Sequence, residues 1–438
     1  MIEEILHPAN LMRACRQTER NKGSAGVDGM KTDELYAFLQ VYREGLKSSI
    51  RSGVYLPQPI LGIEIPKSNG KKRLLGVPTV VDRMLQQATG QILCNHYDMD
   101  FEDNSFGFRP KRNALQAVLK SQEYINSGHT YIVDIDLKTF FDEVEHCLLL
   151  QILYRKVKCR MTLRLIRKWL RAPIQINGKL VKRRKGVPQG SPLSPILSNI
   201  LLDELDKEMK RMGLKYVRYA DDFSIYCQDE AQALEVQGSI HSYLQRKLRL
   251  PINEEKSGIR RPEEFTILGY SYERASGNGE NGDYTLIVSS KRWKTLKEKL
   301  KEVTRKTKPY TFDMRMKMLK DIQSGWIQYF RLANMLWQLE KLDRWVRNRL
   351  RYCIWHFWKT PKRRCKSLIR LGIKPDLARK WSHTRLGGWA TARSPILKTT
   401  ITNDRLHQRG YLAMITVYKS VAPHLNEPLY TRPVRTVV

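Results

Sequence analysis

Three aspartates set the chemistry this chain could perform. Asp221 and Asp222 are adjacent in Tyr219-Ala220-Asp221-Asp222, between the runs Lys215-Tyr216-Val217-Arg218 and Phe223-Ser224-Ile225-Tyr226-Cys227. The pattern predicts a β-hairpin whose tight turn carries two carboxylates. Adjacent carboxylates repel unless a positive charge lies beside them. Mg²⁺ is the usual answer, because it takes oxygen ligands and substrate phosphates in one octahedron. Asp136 closes a strand-like run, Tyr131-Ile132-Val133-Asp134-Ile135-Asp136. If that strand lies beside the hairpin, three carboxylates meet at one sheet edge, as two-metal nucleotidyl transfer requires. Asp134 shares a strand face with Asp136, so spacing leaves both open as the third ligand. An isolated Asp pair would be read more simply as a solvated turn. The motifs around it carry the stronger reading.

The elements that must position these acids can be read from pattern. Residues 1–60 look helical, with a break at Gly23-Ser24-Ala25-Gly26-Val27-Asp28-Gly29. Residues 61–80 read as a hairpin turning at Ser68-Asn69-Gly70, followed by helix to about residue 100. The chain then offers a strand at 131–136, a helix at 160–171 and a hairpin around Asn177-Gly178. A helix is expected from near Pro192 to about Met212, since proline suits a first turn. After the Asp hairpin come a helix at about 230–248 and a nearly all-helical stretch from 290 to 360. Gly387-Gly388 and a proline-containing tail suggest a smaller terminal module.

Charge narrows the partners. The 438 residues carry a formal net charge of +34, which argues for a polyanion, nucleic acid first. Residues 291–380 hold 27 Lys/Arg against 7 Asp/Glu, and eight of the nine Trp lie between Trp293 and Trp389. Interleaved Trp and cations suit helices with one packed face and one face toward phosphates. Seven scattered cysteines form no C-x-x-C pair, so reduced thiols and a cytoplasmic setting are expected. No signal peptide or membrane span is read, and no membrane partner is expected.

The motifs stand in one order: Gly26-Val27-Asp28-Gly29, Ile65-Pro66-Lys67, Gly76-Val77-Pro78, Ser105-Phe106-Gly107-Phe108-Arg109-Pro110, Asp136 with Phe140-Phe141-Asp142, Pro188-Gln189-Gly190-Ser191-Pro192-Leu193-Ser194-Pro195, Tyr219-Ala220-Asp221-Asp222, Leu268-Gly269-Tyr270, and Gly325-Trp326-Ile327-Gln328-Tyr329-Phe330. Together, over essentially the whole chain, they resemble a bacterial group II intron-encoded reverse transcriptase and maturase. One departure is Asn113, where the family usually has His after the Arg-Pro element. The expected form lacks the Cys/His-rich endonuclease module of some relatives.

The resemblance implies an α+β right-hand polymerase with fingers, an antiparallel-sheet palm, an α-helical thumb and a small basic C-terminal domain. The expected boundaries are an N-terminal extension at 1–60, fingers at 61–130, palm at 131–288, thumb or maturase domain at 289–372 and a DNA-binding-like domain at 373–438. It favours Asp136, Asp221 and Asp222 as ligands for two Mg²⁺ ions. Lys67, Arg73, Phe140, Phe141, Gln189 and Lys256 are the implied nucleotide contacts, one of the two phenylalanines gating the sugar and the other belonging to the core. Leu268, Gly269 and Tyr270 would position the primer end. Trp326 and Phe330, four apart, read as core. Arg344, Arg347, Arg349 and Arg351, with Lys362, Arg363, Arg364 and Lys366, are phosphate-facing candidates. The implied partners are an RNA template, structured intron RNA, a DNA primer and target, and dNTP. The implied function is RNA-directed DNA synthesis from intron RNA at a DNA target, together with help in splicing. Three alternatives remain open: a host-recruited relative in defence or repair, a splicing factor without polymerase activity, and an RNA-dependent RNA polymerase. Intact metal-ligand and nucleotide positions argue against the second, and the aromatic pair with the motif order against the third.

Overall fold

The computed structural model describes residues 1–66, 70, 72–275 and 283–422. It forms two compact units, Met1–Pro262 and Glu263–Val438. The first begins with helices α1 (Ile2–Ile5), α2 (Pro8–Arg20) and α3 (Leu35–Arg51), then strands β1 (Ile60–Pro66) and β2 (Lys72–Val77). Helices α4 (Val80–Tyr97) and α5 (Ala114–Asn126), strand β3 (Tyr131–Ile135), and helices α6 (Phe140–Glu143), α7 (His146–Lys156) and α8 (Arg160–Arg171) follow. The unit is completed by β4 (Ile174–Ile176), β5 (Lys179–Val181), α9 (Ser194–Arg211), β6 (Lys215–Tyr219), β7 (Asp222–Cys227), α10 (Glu230–Tyr243) and β8 (Gly258–Arg260).

Two four-stranded sheets result. One has the order β2-β1-β4-β5 and the other β6-β7-β3-β8. Sequence adjacency predicts the hairpins β1-β2 and β4-β5 separately. Tertiary structure joins them by a parallel pairing of Ile60 with Ile174 and Leu61 with Gln175. Gly62 permits the join, since a Cβ there would lie 2.8 Å from Ile174 and 2.9 Å from Ile176.

Helix α9 is buried on nearly every side until its last turns, with Ile196, Leu197, Ile200, Leu201, Leu202, Leu205 and Met209 all inside. Such a helix belongs in the middle of a core. It runs close to the expected bounds, starting at Ser194 after a turn in which Ser194 N–H donates to the Ser191 carbonyl (3.2 Å), with Pro195 rather than Pro192 in the first turn. The expected helix over 230–248 is α10 plus a π-helical turn, Leu244–Leu248, ended by Arg249 at φ 55°. Asn113, the departure from the family pattern, is the N-cap of α5 in a capping box with Gln116. It satisfies the helix's free N–H groups, a task Asn performs well.

The second unit opens with β9 (Thr266–Ile267), β10 (Tyr270–Arg274) and β11 (Tyr284–Val288), a three-stranded antiparallel sheet. The segment expected as palm, 131–288, is therefore divided between the two units at residue 262. Helices α11 (Ser290–Val303), α12 (Phe312–Tyr329), α13 (Leu336–Phe357) and α14 (Pro361–Arg370) follow, then five shorter helices between residues 375 and 421. Buried Asp343 on α13 accepts from Tyr411 Oη (2.6 Å) and from the N–H groups of Met414 (3.0 Å) and Ile415 (3.1 Å), tying the last described helix to α13. All seven cysteines are free thiols. Among the described residues no helix is long and apolar enough to cross a membrane.

Candidate active site

The acids meet at one edge of the β6-β7-β3-β8 sheet. β3 pairs antiparallel with β7 up to Ile135 opposite Phe223. One residue further, that register sets Asp136 opposite Asp222. β6 and β7 close with Tyr219 opposite Asp222, leaving Ala220 and Asp221 as the turn. One carboxylate thus rides on the turn and the other heads the strand. Ala220 takes φ 62°, a left-handed conformation that alanine adopts at a cost.

A buried guanidinium holds that turn. Arg218 is fully buried and donates from Nε to both oxygens of Asp206 on α9 (2.8 and 3.0 Å). Its Nη1 reaches Asn199 Oδ1 (3.1 Å) and the Ala220 carbonyl (2.9 Å). Asn199 also donates to the Gly107 carbonyl (2.8 Å), and Phe106 N–H donates to the Arg218 carbonyl (2.9 Å). The Ser105-Phe106-Gly107 motif therefore lines the back of the catalytic turn. A Cβ on Gly107 would lie 2.2 Å from Ala220 N. We expect Gly107→Ala to displace the turn and cut single-nucleotide extension by about tenfold or more, with a far smaller change in melting temperature. Wild-type extension in that variant would show that the turn does not depend on this contact. The motifs of the sequence do not single out Arg218. Its signal was a charged residue in a strand otherwise bound for the core, together with Asn199 and Asp206 on an apolar helix.

Electrostatics separate the four acids. Burial, then the charges of Asp221, Asp136 and Asp134, push the Asp222 carboxyl up to about 6. Asp222 is open to water, yet the protein packed around it still penalises its charge. Asp221 is also raised, by burial and by Asp136, and is relieved in part by Arg73 and Arg218. Asp134, raised chiefly by burial, is paired with Arg260 Nε at 3.0 Å. Asp136 Oδ2 accepts from Asn253 Nδ2 (2.8 Å) and Lys256 Nζ (3.1 Å).

This donor set fits a hard divalent cation. Among the described residues no three His, Cys, Asp or Glu side chains close a metal cage by themselves. An ion such as Mg²⁺ does not need one, since it keeps water and substrate phosphates in its shell. The mutual repulsion recorded in Asp221 and Asp222 is what such a cation would relieve.

The remaining nucleotide candidates fall in the same unit. Arg73 is exposed on β2, opposite Ile65, and its charge reaches Asp221. Lys67 lies outside the described residues. Gln189 is half-buried in a loop fastened to β2, where Gly76 N–H donates to the Gln189 carbonyl (2.7 Å). Gly190 at φ 109° allows that approach, since a Cβ would stand 2.7 Å from the Gly76 carbonyl. Phe140 is a core residue at 2% exposure, while Phe141 is only partly buried, edge-on to it at 5.2 Å between ring centres. Phe141 is thus the more open of the pair.

In the second unit, Leu268 (φ 53°) and Gly269 (φ 91°) form a two-residue turn between β9 and β10. Tyr270 is buried, and its hydroxyl donates to the Tyr329 carbonyl. The Tyr329 hydroxyl returns to the Leu268 carbonyl (3.0 Å). Phe330 is buried and Trp326 half-buried against it at 4.7 Å, as their spacing suggested. Arg344, Lys362 and Arg363 are exposed and Arg347 is half-buried. Arg364 lies over the Trp355 ring at 4.5 Å. The expectation fails for Arg351, which is buried and bonds the Ile401 carbonyl (2.8 Å) and Asn403 (3.0 Å). Arg349 is likewise engaged, with Thr304 Oγ1 (2.6 Å) and the Thr304 carbonyl (3.0 Å). Four arginines within eight residues of one helix cannot share a face, and the inward ones tie loops to the core.

Adjacent acids where a two-residue turn enters its strand, beside a third on the neighbouring strand and with a guanidinium in reach, are the apparatus of a nucleotidyl-transfer enzyme. Comparison with known proteins gives the class its name. Residues 65–272 match the family model for reverse transcriptase (RNA-dependent DNA polymerase), and 293–371 match the group II intron maturase-specific domain. Protein YkfC of Escherichia coli K12 is 30% identical over 311 residues, covering 62% of this chain and 82% of that protein. The group II intron-encoded protein LtrA of Lactococcus lactis subsp. cremoris is 36% identical over 215 residues, 49% of this chain and 36% of that protein. The chain thus spans about a third of LtrA. It belongs to the group II intron-type reverse transcriptases, RNA-directed DNA polymerases that also carry a maturase domain. The family uses divalent metal ions, and its two domains imply binding of an RNA template and of intron RNA.

Proposed function

We propose that this protein copies group II intron RNA into cDNA at a DNA target and binds the same RNA to assist its splicing. The observation that carries the reading is the meeting of Asp136, Asp221 and Asp222 at one sheet edge, in a chain that also matches the maturase domain. The sheet β6-β7-β3-β8 would be the palm, β2-β1-β4-β5 part of the fingers, and the helices from α11 onward the thumb. Two Mg²⁺ ions held by the three aspartates would activate the primer 3′-OH and neutralise the triphosphate.

The chain's own side chains supply the rest. Arg73, and Lys67 with it, would grip triphosphate oxygens, Arg73 through its planar fork. Lys256, resting on Asp136 here, would turn to the leaving pyrophosphate. Gln189 would touch the sugar and base. Leu268, Gly269 and Tyr270 would hold the primer end, and Arg344, Arg347, Lys362, Arg363 and Arg364 would meet phosphates. Phe141 would press on C2′ of the incoming sugar and exclude a 2′-OH. We expect Phe141→Ala to raise ribonucleotide use relative to dNTP by about tenfold or more, read from single-nucleotide incorporation. No change in that ratio would remove Phe141 as the gate.

The deciding experiment is primer extension on a defined RNA template, with dNTPs or NTPs, with and without Mg²⁺. Long cDNA from dNTPs alone is expected. A wild type that binds structured RNA tightly yet extends nothing would overturn the polymerase reading.

A further inference from the structure

The C-terminal end of α3 and the outer side of α8 enclose a cleft of about 730 Å³. None of the carboxylates of the candidate active site lines it. Five cations do, Arg51, Arg160, Arg164, Arg167 and Lys168, and no acidic residue is among the lining. We propose that this cleft and the face of α8 bind the phosphate backbone of double-helical RNA outside the polymerase site.

The sequence of α8 builds the face. Its cations stand at 160, 164, 167, 168 and 171, which is one side of a helix. Thr162, Leu165, Ile166, Trp169 and Leu170 are buried on the other. The helix contains no Asp or Glu. From first cation to last the stripe is about 16 Å long at 1.5 Å per residue, long enough to follow several phosphates.

A helix with a solvated basic side would look similar in sequence, and the last turns of α9 show what that looks like in this protein. There Lys207 pairs with Asp203, Lys210 with Glu102 and Arg211 with Glu208. On α8, Arg160, Arg164, Arg167 and Arg171 make no ion pair among the described residues. Among the described residues, Arg51 alone in the cleft has an acid, Glu3.

The cleft is also shaped around its cations. Lys168 donates to the carbonyls of Gly53 (2.8 Å) and Tyr55 (2.6 Å), facing Arg164. Burial, and then the charge of Arg164, lower its pKa. Gly53 takes φ 73°, and a Cβ there would lie 2.8 Å from Arg164 Nη1. Like charges gathered this closely repel one another until an anion enters. Arg167 also borders a second hollow, of about 450 Å³, which continues the face to Arg171 and His146.

The anion is a backbone rather than a base. Tyr55, the aromatic in the cleft, is half-buried and donates its hydroxyl to Asp82 (2.7 Å). Tyr154 beside the second hollow has Lys158 over its ring at 4.5 Å. Tyr154 is otherwise exposed, but in the main cleft the lining aromatic is Tyr55, tied to Asp82, so single-stranded recognition loses its usual stacking platform there. Double-stranded RNA is held through shape and phosphates. The inference rests on the reading that the protein binds a structured RNA.

The test uses the full chain with Arg160→Gln, Arg164→Gln and Arg167→Gln combined. Affinity for a long RNA hairpin is measured over a series of salt concentrations, beside primer extension on a short template. We expect the log–log salt slope to become shallower by about two to three, since each phosphate contact contributes roughly 0.9. Hairpin affinity at physiological salt should fall about tenfold or more, with short-template extension and melting temperature unchanged. The matching triple Lys variant should restore most of the slope. An unchanged slope would make α8 a solvated face and end the proposal. An equal loss for a single-stranded RNA would assign the face to the template strand and overturn the duplex reading. Loss of extension in wild type would count against the polymerase reading alone.

Discussion

Replacing Asp221 and Asp222 together by Ala should abolish extension, by at least about 10³-fold or roughly 4 kcal/mol of transition-state stabilisation. It should not weaken the fold. Asp222 is raised to about 6 by burial and by three neighbouring acids, and Asp221 is raised as well. An unfolded Asp titrates near 3.9. Between about 4 and 6 the folded protein holds a proton that the unfolded chain has released, so this group removes stability as pH rises through that window. Without divalent ions, Asp222→Asn should therefore melt higher than wild type at pH 7.5, and the gain should disappear toward pH 4. Added Mg²⁺ should stabilise wild type more than the variant. Melting curves across pH, with and without the ion, read all three. A variant that melts lower than wild type at pH 7.5 would mean that the acids are not repelling one another, and would remove the electrostatic argument for a metal.

The second large effect belongs to Arg218. Arg218→Met leaves Asp206 buried with its charge unanswered, and breaking such a pair costs about 3–5 kcal/mol. Loss of activity in that variant alone would not separate folding from positioning. Arg218→Met with Asp206→Leu should, because replacing both members with apolar groups recovers much of the stability. The guanidinium that holds the Ala220 carbonyl is still missing, so we expect kcat to stay about ten- to a hundredfold low while the melting temperature recovers. A double variant that regains both would reduce Arg218 to a packing residue. A KM for dNTP that rises with kcat unchanged would place its effect on nucleotide binding instead.

Much of the site was legible because its signals are local. The alternation on either side of Tyr219-Ala220-Asp221-Asp222 is a period-two pattern closed by a two-residue turn, and the hairpin formed there. Asp136 ended its strand run, and the register carried it to Asp222. Which phenylalanine lies in the core was not local. Phe140 and Phe141 are chemically equal, and only the packing of α6 on the core buries one of them. The partners of Asp134 and Asp136 were likewise set at a distance, Arg260 from β8 pairing with the first and Lys256 with the second.

Spacing, charge and turn chemistry are written into consecutive residues, so the sequence by itself determined the class of enzyme, the adjacent acids Asp221 and Asp222 on their hairpin, most of the helices and hairpins, and the basic character of the second half. Tertiary structure decided what depends on residues far apart in the chain. It set β1 beside β4, Arg218 against Asp206 and Asn199, Gly107 behind Ala220, and Arg351 inside the core rather than on its surface. It also closed the end of α3 over α8, turning two basic stretches into one cleft. The physical reason is common to all five. A buried polar or charged group is acceptable only where distant partners satisfy it, and a close approach only where a distant side chain leaves room, and neither condition is expressed in the spacing of neighbours.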